Sequence, residues 1–334
     1  MKPELLGKIT KIFGLVEPIV FTKVEKGFSS HNYKIETGNG IFFLKKHRTS
    51  GADRIGTIEK VEEFFINHNV PVIGPIKSKN GNLHEIIDQY CYVLYPFVTG
   101  KHYETGNVPI DIVKVMGQEL AKVHLLTKDG IEDYYEEDTH FRIQEKEHIL
   151  FEIEELLKII KPENGFDTLS INGLNLKKKL VTECTTTFES LNLNDRHLCL
   201  GDYYTDNIFF TEDGKILHIF DLDMAGPTPR MYELVRACML TCFWYGYSLE
   251  NIDKAKVFIK SYFDIYPFSS NEFRSAIELY YIKSFYSIWR EYLHYIKKDF
   301  RNDITYKTYI KEINYLTENR ERLFVNLDPN ITNK

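Results

Sequence analysis

The sequence predicts an α+β chain in two parts, a small antiparallel sheet near the N-terminus followed by a mostly helical remainder. Three observations predict it. Short apolar, β-rich runs bounded by turn residues crowd roughly the first hundred positions. Helical periodicity of apolar residues dominates from Asp111 onward. A single strand-turn-strand unit, at 208–220, interrupts those helices and gathers polar residues at its open ends.

Taken in order, residues 1–16 read as a short amphipathic helix, with Leu5, Leu6, Ile9, Ile12, Phe13 and Val16 on one face. Strands are expected at Ile19–Val24, Asn32–Glu36 and Ile41–Lys45, the last two joined by the hairpin turn Thr37-Gly38-Asn39-Gly40. A helix is expected over 55–68, closed by Asn69 before Val70-Pro71. Further strands are expected at 71–76, 83–87 and 90–95, then a Pro96 to Gly100 exit. Asp111–Thr127 is a strongly amphipathic helix, and helices are expected near 148–160 and 176–191 and through most of the chain up to Phe324. The boundary between the two parts falls at Phe97, dividing the chain into 1–97 and 98–334.

The 198–226 stretch carries the chemistry. Ile208–Phe210 and Ile216–Phe220 flank Glu212-Asp213-Gly214, a hairpin pattern. Asp202 and Asn207 precede the first strand, and Asp221 and Asp223 follow the second. An antiparallel pair brings its open ends together, so three carboxylates and an amide converge. Carboxylates that close repel unless a cation sits among them. Hard oxygen donors suit Mg²⁺, which commonly takes one or two carboxylates plus substrate phosphates. The reaction class this points to is phosphoryl transfer, with one Asp receiving the proton of an attacking hydroxyl while an Asn and another Asp hold metal.

Asp202, Asn207 and the Asp221-Leu222-Asp223 run resemble the catalytic motif of the aminoglycoside phosphotransferase and choline kinase-like superfamily. The resemblance implies a two-lobed, protein-kinase-like fold, with a small antiparallel-sheet N-lobe that binds ATP and a mostly helical C-lobe that binds the acceptor. It implies that Asp202 is the catalytic base and that Asn207 and Asp221 hold Mg²⁺ with help from Asp223. Two positions depart from the common pattern. Leu200 and Tyr204 stand where many members have His.

The same resemblance assigns further roles. It places the phosphate-gripping Lys directly after the apolar pair Phe43-Leu44, at Lys45; strand alternation turns Lys46 to the other face. A helical Glu should support that Lys. Glu59, Glu62 and Glu63 are available, and the family spacing from Val70-Pro71 favours Glu59. The Gly27–His31 loop, with Ser29 and Ser30, would cover the ATP phosphates. Backbone groups near Leu94–Phe97, Tyr95 and Phe97 included, would meet the adenine edge. His124 and Glu233 are expected to be structural, Glu233 anchoring a helix under the metal site. An acidic segment at 129–138 reads as a solvated loop, and the Tyr280–Tyr295 stretch, with Trp289, Arg290 and Glu291, mainly as core.

The expected activity is therefore an ATP-dependent kinase that phosphorylates a hydroxyl of a small molecule such as an aminoglycoside, homoserine or choline. The alternative is a non-catalytic or spore-coat-type member of the superfamily. Net charge is −6, with no basic face of the kind nucleic-acid binders carry. No apolar run approaches the length of a membrane span. The N-terminus lacks the apolar stretch of a signal peptide, and five scattered Cys suit a reducing cytoplasm, so a cytoplasmic location is expected.

Overall fold

The computed structural model describes residues 3–24, 31–47, 52–128, 142–243 and 246–331. Ser29, Ser30 and the acidic 129–138 segment lie outside the described residues. The chain divides into two compact units, one of Met1–His102 with Asn207–Gly226 and one of Tyr103–Asp206 with Pro227–Lys334.

The first unit opens with helix α1 (Pro3–Phe13), then strands β1 (Val20–Val24), β2 (His31–Thr37) and β3 (Gly40–Lys46). Helix α2 (Ala52–Asn67) precedes β4 (His84–Ile87) and β5 (Tyr90–Pro96). The five strands form one antiparallel sheet in the order β1-β2-β3-β5-β4. Alternation divides each strand between two faces. Leu44, Tyr92, Leu94 and Ile35 meet Ile9 and Phe13 of α1 on one face. Cys91, Val93 and Tyr95 meet Ile55 of α2 on the other. The predicted strand at 71–76 does not form; Val72 makes only a single bridge, to Ile219. Pro71 and Pro75 have no N–H to donate, so a continuous ladder cannot run through them.

The hairpin of this unit matches the sequence reading. Strand β7 (Ile208–Phe210) pairs antiparallel with β8 (Ile216–Ile219), Ile208 opposite Ile219. The Ile73 N–H donates to the Ile219 carbonyl at 3.0 Å, and the Ile219 N–H to Pro71 at 2.7 Å, tying the hairpin to the segment after α2.

The second unit is helical. It holds α3 (Ile110–Leu126), α4 (Lys146–Ile159), α5 (Gly165–Glu183), α6 (Arg230–Phe243), α7 (Leu249–Phe263), α8 (Ser270–Tyr286), α9 (Trp289–Tyr295) and α10 (Asp303–Leu327). Short strands β6 (Arg196–Cys199) and β9 (Gly226–Pro229) pair with each other. Helix α5 begins about a dozen residues before the expected start. Asn164 caps it, accepting from the N–H groups of Phe166 and Asp167, while Asp167 accepts in return from Asn164. That reciprocal box is a strong start signal in the Asn164-Gly165-Phe166-Asp167 run. No helix among the described residues is long and apolar enough to cross a membrane.

Candidate active site

Lys45 leaves β3 on the α2 side, opposite Val93 of β5. Its ammonium is buried and lies 2.7 Å from Oδ1 of Asp221 and 2.6 Å from Oδ1 of Asp223. Burial disfavours the Lys45 charge, but the two carboxylates more than compensate and raise its pKa. Lys46, one position on, turns to the other face and sits over the Tyr90 ring, 3.4 Å from its centroid.

The carboxylates reach this point through an irregular turn. Asp221 has φ +64°, in the left-handed region that few residues except Gly, Asn and Asp adopt readily. The chain thereby bends just after β8, and Leu222 is buried between the two acids. Asn207, across from them at the same open end of the hairpin, is buried, and its carbonyl accepts from the Phe220 N–H at 3.1 Å. Asn207, Asp221 and Asp223 thus belong to one hairpin, as its register requires.

Glu59, expected to support Lys45, does not. Its carboxylate bonds Nδ1 of His84 at 2.8 Å. The neighbour that faces inward is Glu62, which is 2% exposed and accepts from the Tyr95 hydroxyl at 3.1 Å. Burial pushes the Glu62 carboxyl up to about 8, although Tyr95 and the Lys45 charge pull it down. The reason is helical geometry. Ile55, Ile58, Val61, Glu62 and Phe65 share the buried stripe of α2, and Glu63 is exposed. A Glu inside an apolar stripe was the available signal.

Tyr95 therefore contributes its side chain to this cluster. The Phe97 N–H, expected to face adenine, is committed to the Ile41 carbonyl at 3.1 Å, which extends the β3–β5 pairing by one rung. His47, not singled out by sequence, lies 3.9 Å from Asp223. Burial pushes its pKa down to about 4, so it is neutral near pH 7.

In the helical unit, Asp202 follows β6 at Gly201. Arg236 of α6 pairs with Oδ1 of Asp202 at 2.5 Å and donates to the Gly201 carbonyl at 2.9 Å. Glu233, one turn earlier on α6, accepts from the N–H groups of Leu200, at 3.2 Å, and Gly201. His124 of α3 bonds Glu233 at 2.7 Å and the Tyr262 hydroxyl at 2.7 Å. Burial works against the Glu233 charge, but His124 and the Gly201 N–H hold its pKa below the usual value. Downstream, the buried Tyr203 donates to the Met116 carbonyl at 3.1 Å, and Thr105 donates to Asp206 at 2.5 Å. Asp202 thus sits on a loop pinned on both sides. Glu233 and His124, expected from sequence only as structural residues with Glu233 anchoring a helix, brace that loop; Arg236 was missed, because an Arg on an amphipathic helix has no distinctive spacing.

The residues around Lys45 suit a divalent cation. Asp221 and Asp223 offer carboxylate oxygens there, the preferred ligands of Mg²⁺. The buried trio His124, Cys199 and Glu233 is less suited. Both carboxylate oxygens of Glu233 are engaged by N–H donors, and the Cys199 thiol lies 3.5 Å from the Thr228 carbonyl.

Solved structures share this fold. An aminoglycoside phosphotransferase from Alicyclobacillus acidocaldarius is 14% identical, with a TM-score of 0.62 over 99% of this chain and 96% of that one. An ethanolamine kinase from Plasmodium vivax is 15% identical, with a TM-score of 0.62 over 91% and 86%. A spectinomycin phosphotransferase in complex with ADP and spectinomycin is 14% identical, with a TM-score of 0.61 over 95% and 99%. At this identity the likeness establishes the α+β, protein-kinase-like fold. No curated protein matches the sequence. The model of the phosphotransferase enzyme family matches residues 20–256, most of the chain and all of the motif residues named above, and the chain belongs to that family.

Proposed function

We propose that this chain transfers the γ-phosphoryl group of ATP to a hydroxyl group of a small molecule. The observation that carries the reading is the Lys45 ammonium held between Asp221 and Asp223. A kinase needs a cation for the phosphates of ATP and carboxylates for metal in one place. Asn207, Asp221 and Asp223 would hold Mg²⁺, which neutralises charge on the phosphates when bound.

The chain's own residues do the rest. Lys45 exchanges carboxylates for phosphate oxygens and orients them. Glu62 is the acid next to it that can accept the Lys45 ammonium once Asp221 and Asp223 are engaged elsewhere. Asp202 takes the proton of the acceptor hydroxyl, and Arg236 fixes the direction of its carboxylate. The nucleotide is handled by residues 1–97 together with the hairpin, and the acceptor by residues 98–334. The kinases of the same fold, acting on such compounds as spectinomycin and ethanolamine, support a small hydroxyl acceptor.

The test is Mg²⁺-dependent ADP release by the wild type and by Asp202→Ala, over aminoglycosides, amino alcohols, hydroxyamino acids and sugars. Acceptor-dependent release that disappears in the variant is expected. ATP binding without turnover for any acceptor would favour a non-catalytic member of the family. Absence of ATP binding would remove the reading.

A further inference from the structure

The run from Ser270 to Tyr295 contains no Gly or Pro, yet it does not form one helix. Helix α8 stops at Tyr286, Ser287 is extended with φ −82° and ψ 119°, and α9 starts at Trp289. Ser287 and Ile288 are middling helix residues rather than breakers, so local sequence does not account for the interruption.

Side chains from distant helices meet at the break. Lys177 of α5 and Glu291 of α9 are both fully buried, and the Lys177 ammonium lies 2.5 Å from Oε1 of Glu291. The same ammonium donates to the Ser287 carbonyl at 2.7 Å. From α10, the Tyr309 hydroxyl donates to the carbonyls of Ser287, at 3.1 Å, and Ser284, and the Tyr306 hydroxyl donates to Oε1 of Glu291 at 2.7 Å. In a continuous helix the Ser284 and Ser287 carbonyls would accept from the N–H groups of Ile288 and Glu291. Here α5 and α10 supply donors to them.

The signs of the two charges suit two helix ends. Lys177 sits at the carbonyl end of α8, where a cation is favoured, and Glu291 lies in the first turn of α9, where an anion is favoured. The pair is a poor source of stability. Desolvation offsets much of the attraction between two buried ions, and Oε2 of Glu291 is buried with no hydrogen-bond partner among the described residues. Arg290 stacks on the ring of Tyr309 at 3.9 Å, so the tyrosine that serves the end of α8 also holds the start of α9.

We propose that the Lys177–Glu291 pair is a conformational device that selects the broken α8–α9 arrangement over one continuous helix, without adding to stability. Without the two charges, the Ser284 and Ser287 carbonyls return to the helix ladder and residues 287–288 close into it.

The experiment combines thermal melts with hydrogen–deuterium exchange over residues 284–292 of the full chain. It compares the wild type, Lys177→Met, Glu291→Leu and the double variant. Each single substitution leaves one buried charge alone and should lower Tm by about 5–10 °C. The double variant should return to the wild-type Tm or exceed it. Its amides at 288–291, now inside a continuous ladder, should exchange about tenfold or more slowly than in the wild type. Tyr309→Phe, which keeps both charges, should leave that exchange unchanged. Wild-type exchange at 288–291 in the double variant would overturn the proposal, because the break would then have another cause. So would a double variant that fails to fold or melts as low as either single one, since the pair would then be a source of stability. Slowed exchange at 288–291 in Tyr309→Phe would overturn it by assigning the break to the tyrosine.

Discussion

The Lys45 ammonium lies 2.7 Å from the Asp221 carboxylate, although 176 positions separate the two residues in the chain. Lys45→Met removes the cation, keeps the apolar stem and leaves Asp221 and Asp223 facing each other. Breaking a buried pair costs about 3–5 kcal/mol; because both carboxylates retain some solvent, about 1–3 kcal/mol is expected here. Mg²⁺ alone should raise the Tm of Lys45→Met more than that of the wild type, since a divalent ion replaces the missing charge. Thermal melts with and without Mg²⁺ measure this, and equal responses would mean that Lys45 does not neutralise the acids.

Ligand binding should follow the same residues. Mg²⁺ and ATP at about one hundred times the dissociation constant stabilise a single-site protein by about 2.7 kcal/mol. A chelator should abolish most of that gain in the wild type. Asp221→Asn should lose it even with Mg²⁺ present, because the donor set drops one negative charge. An Asp221→Asn melt that still shifts fully with Mg²⁺ and ATP would exclude Asp221 as the main ligand.

Glu62 makes stability depend on pH in an unusual direction for a carboxyl. Its folded pKa, about 8, lies above its unfolded value of 4.5, so the folded state holds a proton that the unfolded state releases. Its contribution is full below pH 4.5 and is lost as pH rises towards 8. Glu62→Gln keeps the hydrogen-bonding shape without the ionisation. Denaturant melts between pH 5 and 8 should show wild-type stability falling relative to Glu62→Gln by about 1–2 kcal/mol. Parallel curves would show that Glu62 is ionised throughout.

Glu233 works in the opposite sense. Its folded pKa is lowered, so its contribution is present above the unfolded value and is lost as pH falls through the folded one. Acid melts below about pH 4.5 should therefore be steeper for the wild type than for Glu233→Gln. At neutral pH, His124→Ala should cost about 3 kcal/mol, because it withdraws the main partner of a buried carboxylate. A loss under about 1 kcal/mol would mean that the Leu200 and Gly201 N–H groups suffice.

Asp202→Asn should lower acceptor-dependent turnover by about 10²- to 10⁴-fold, the usual worth of a positioned base. The stabilisation by Mg²⁺ and ATP should remain. Arg236→Gln should give a smaller fall, mainly in kcat, because Asp202 survives but loses its fixed direction. Equal effects of the two substitutions would show that Arg236 does more than orient Asp202.

Much of this protein was legible before any coordinates. The 208–219 hairpin rests on local rules, apolar runs about an Asp-Gly turn, and Asn207, Asp221 and Asp223 fall at its open end for that reason. Lys45 on the α2 side and Lys46 on the other follow from strand alternation alone. The prolines that stopped a strand at 71–76 and the Asn164 capping box were also visible, and were outweighed by apolar content and periodicity.

By itself the sequence determined the elements, the α+β class and the residue types offered for chemistry, because turn chemistry, periodicity and spacing act over a few residues. Tertiary packing decided which side chains meet. Glu59 and Glu62 sit one turn apart on α2; the apolar stripe of the helix pointed to Glu62, but the fit of that helix on the sheet is what buries it beside Tyr95 and leaves Glu59 to His84. The same holds for Arg236 with Asp202 and for Glu312 with Tyr280, contacts between distant segments whose energies depend on burial, a quantity that exists only once the chain has folded.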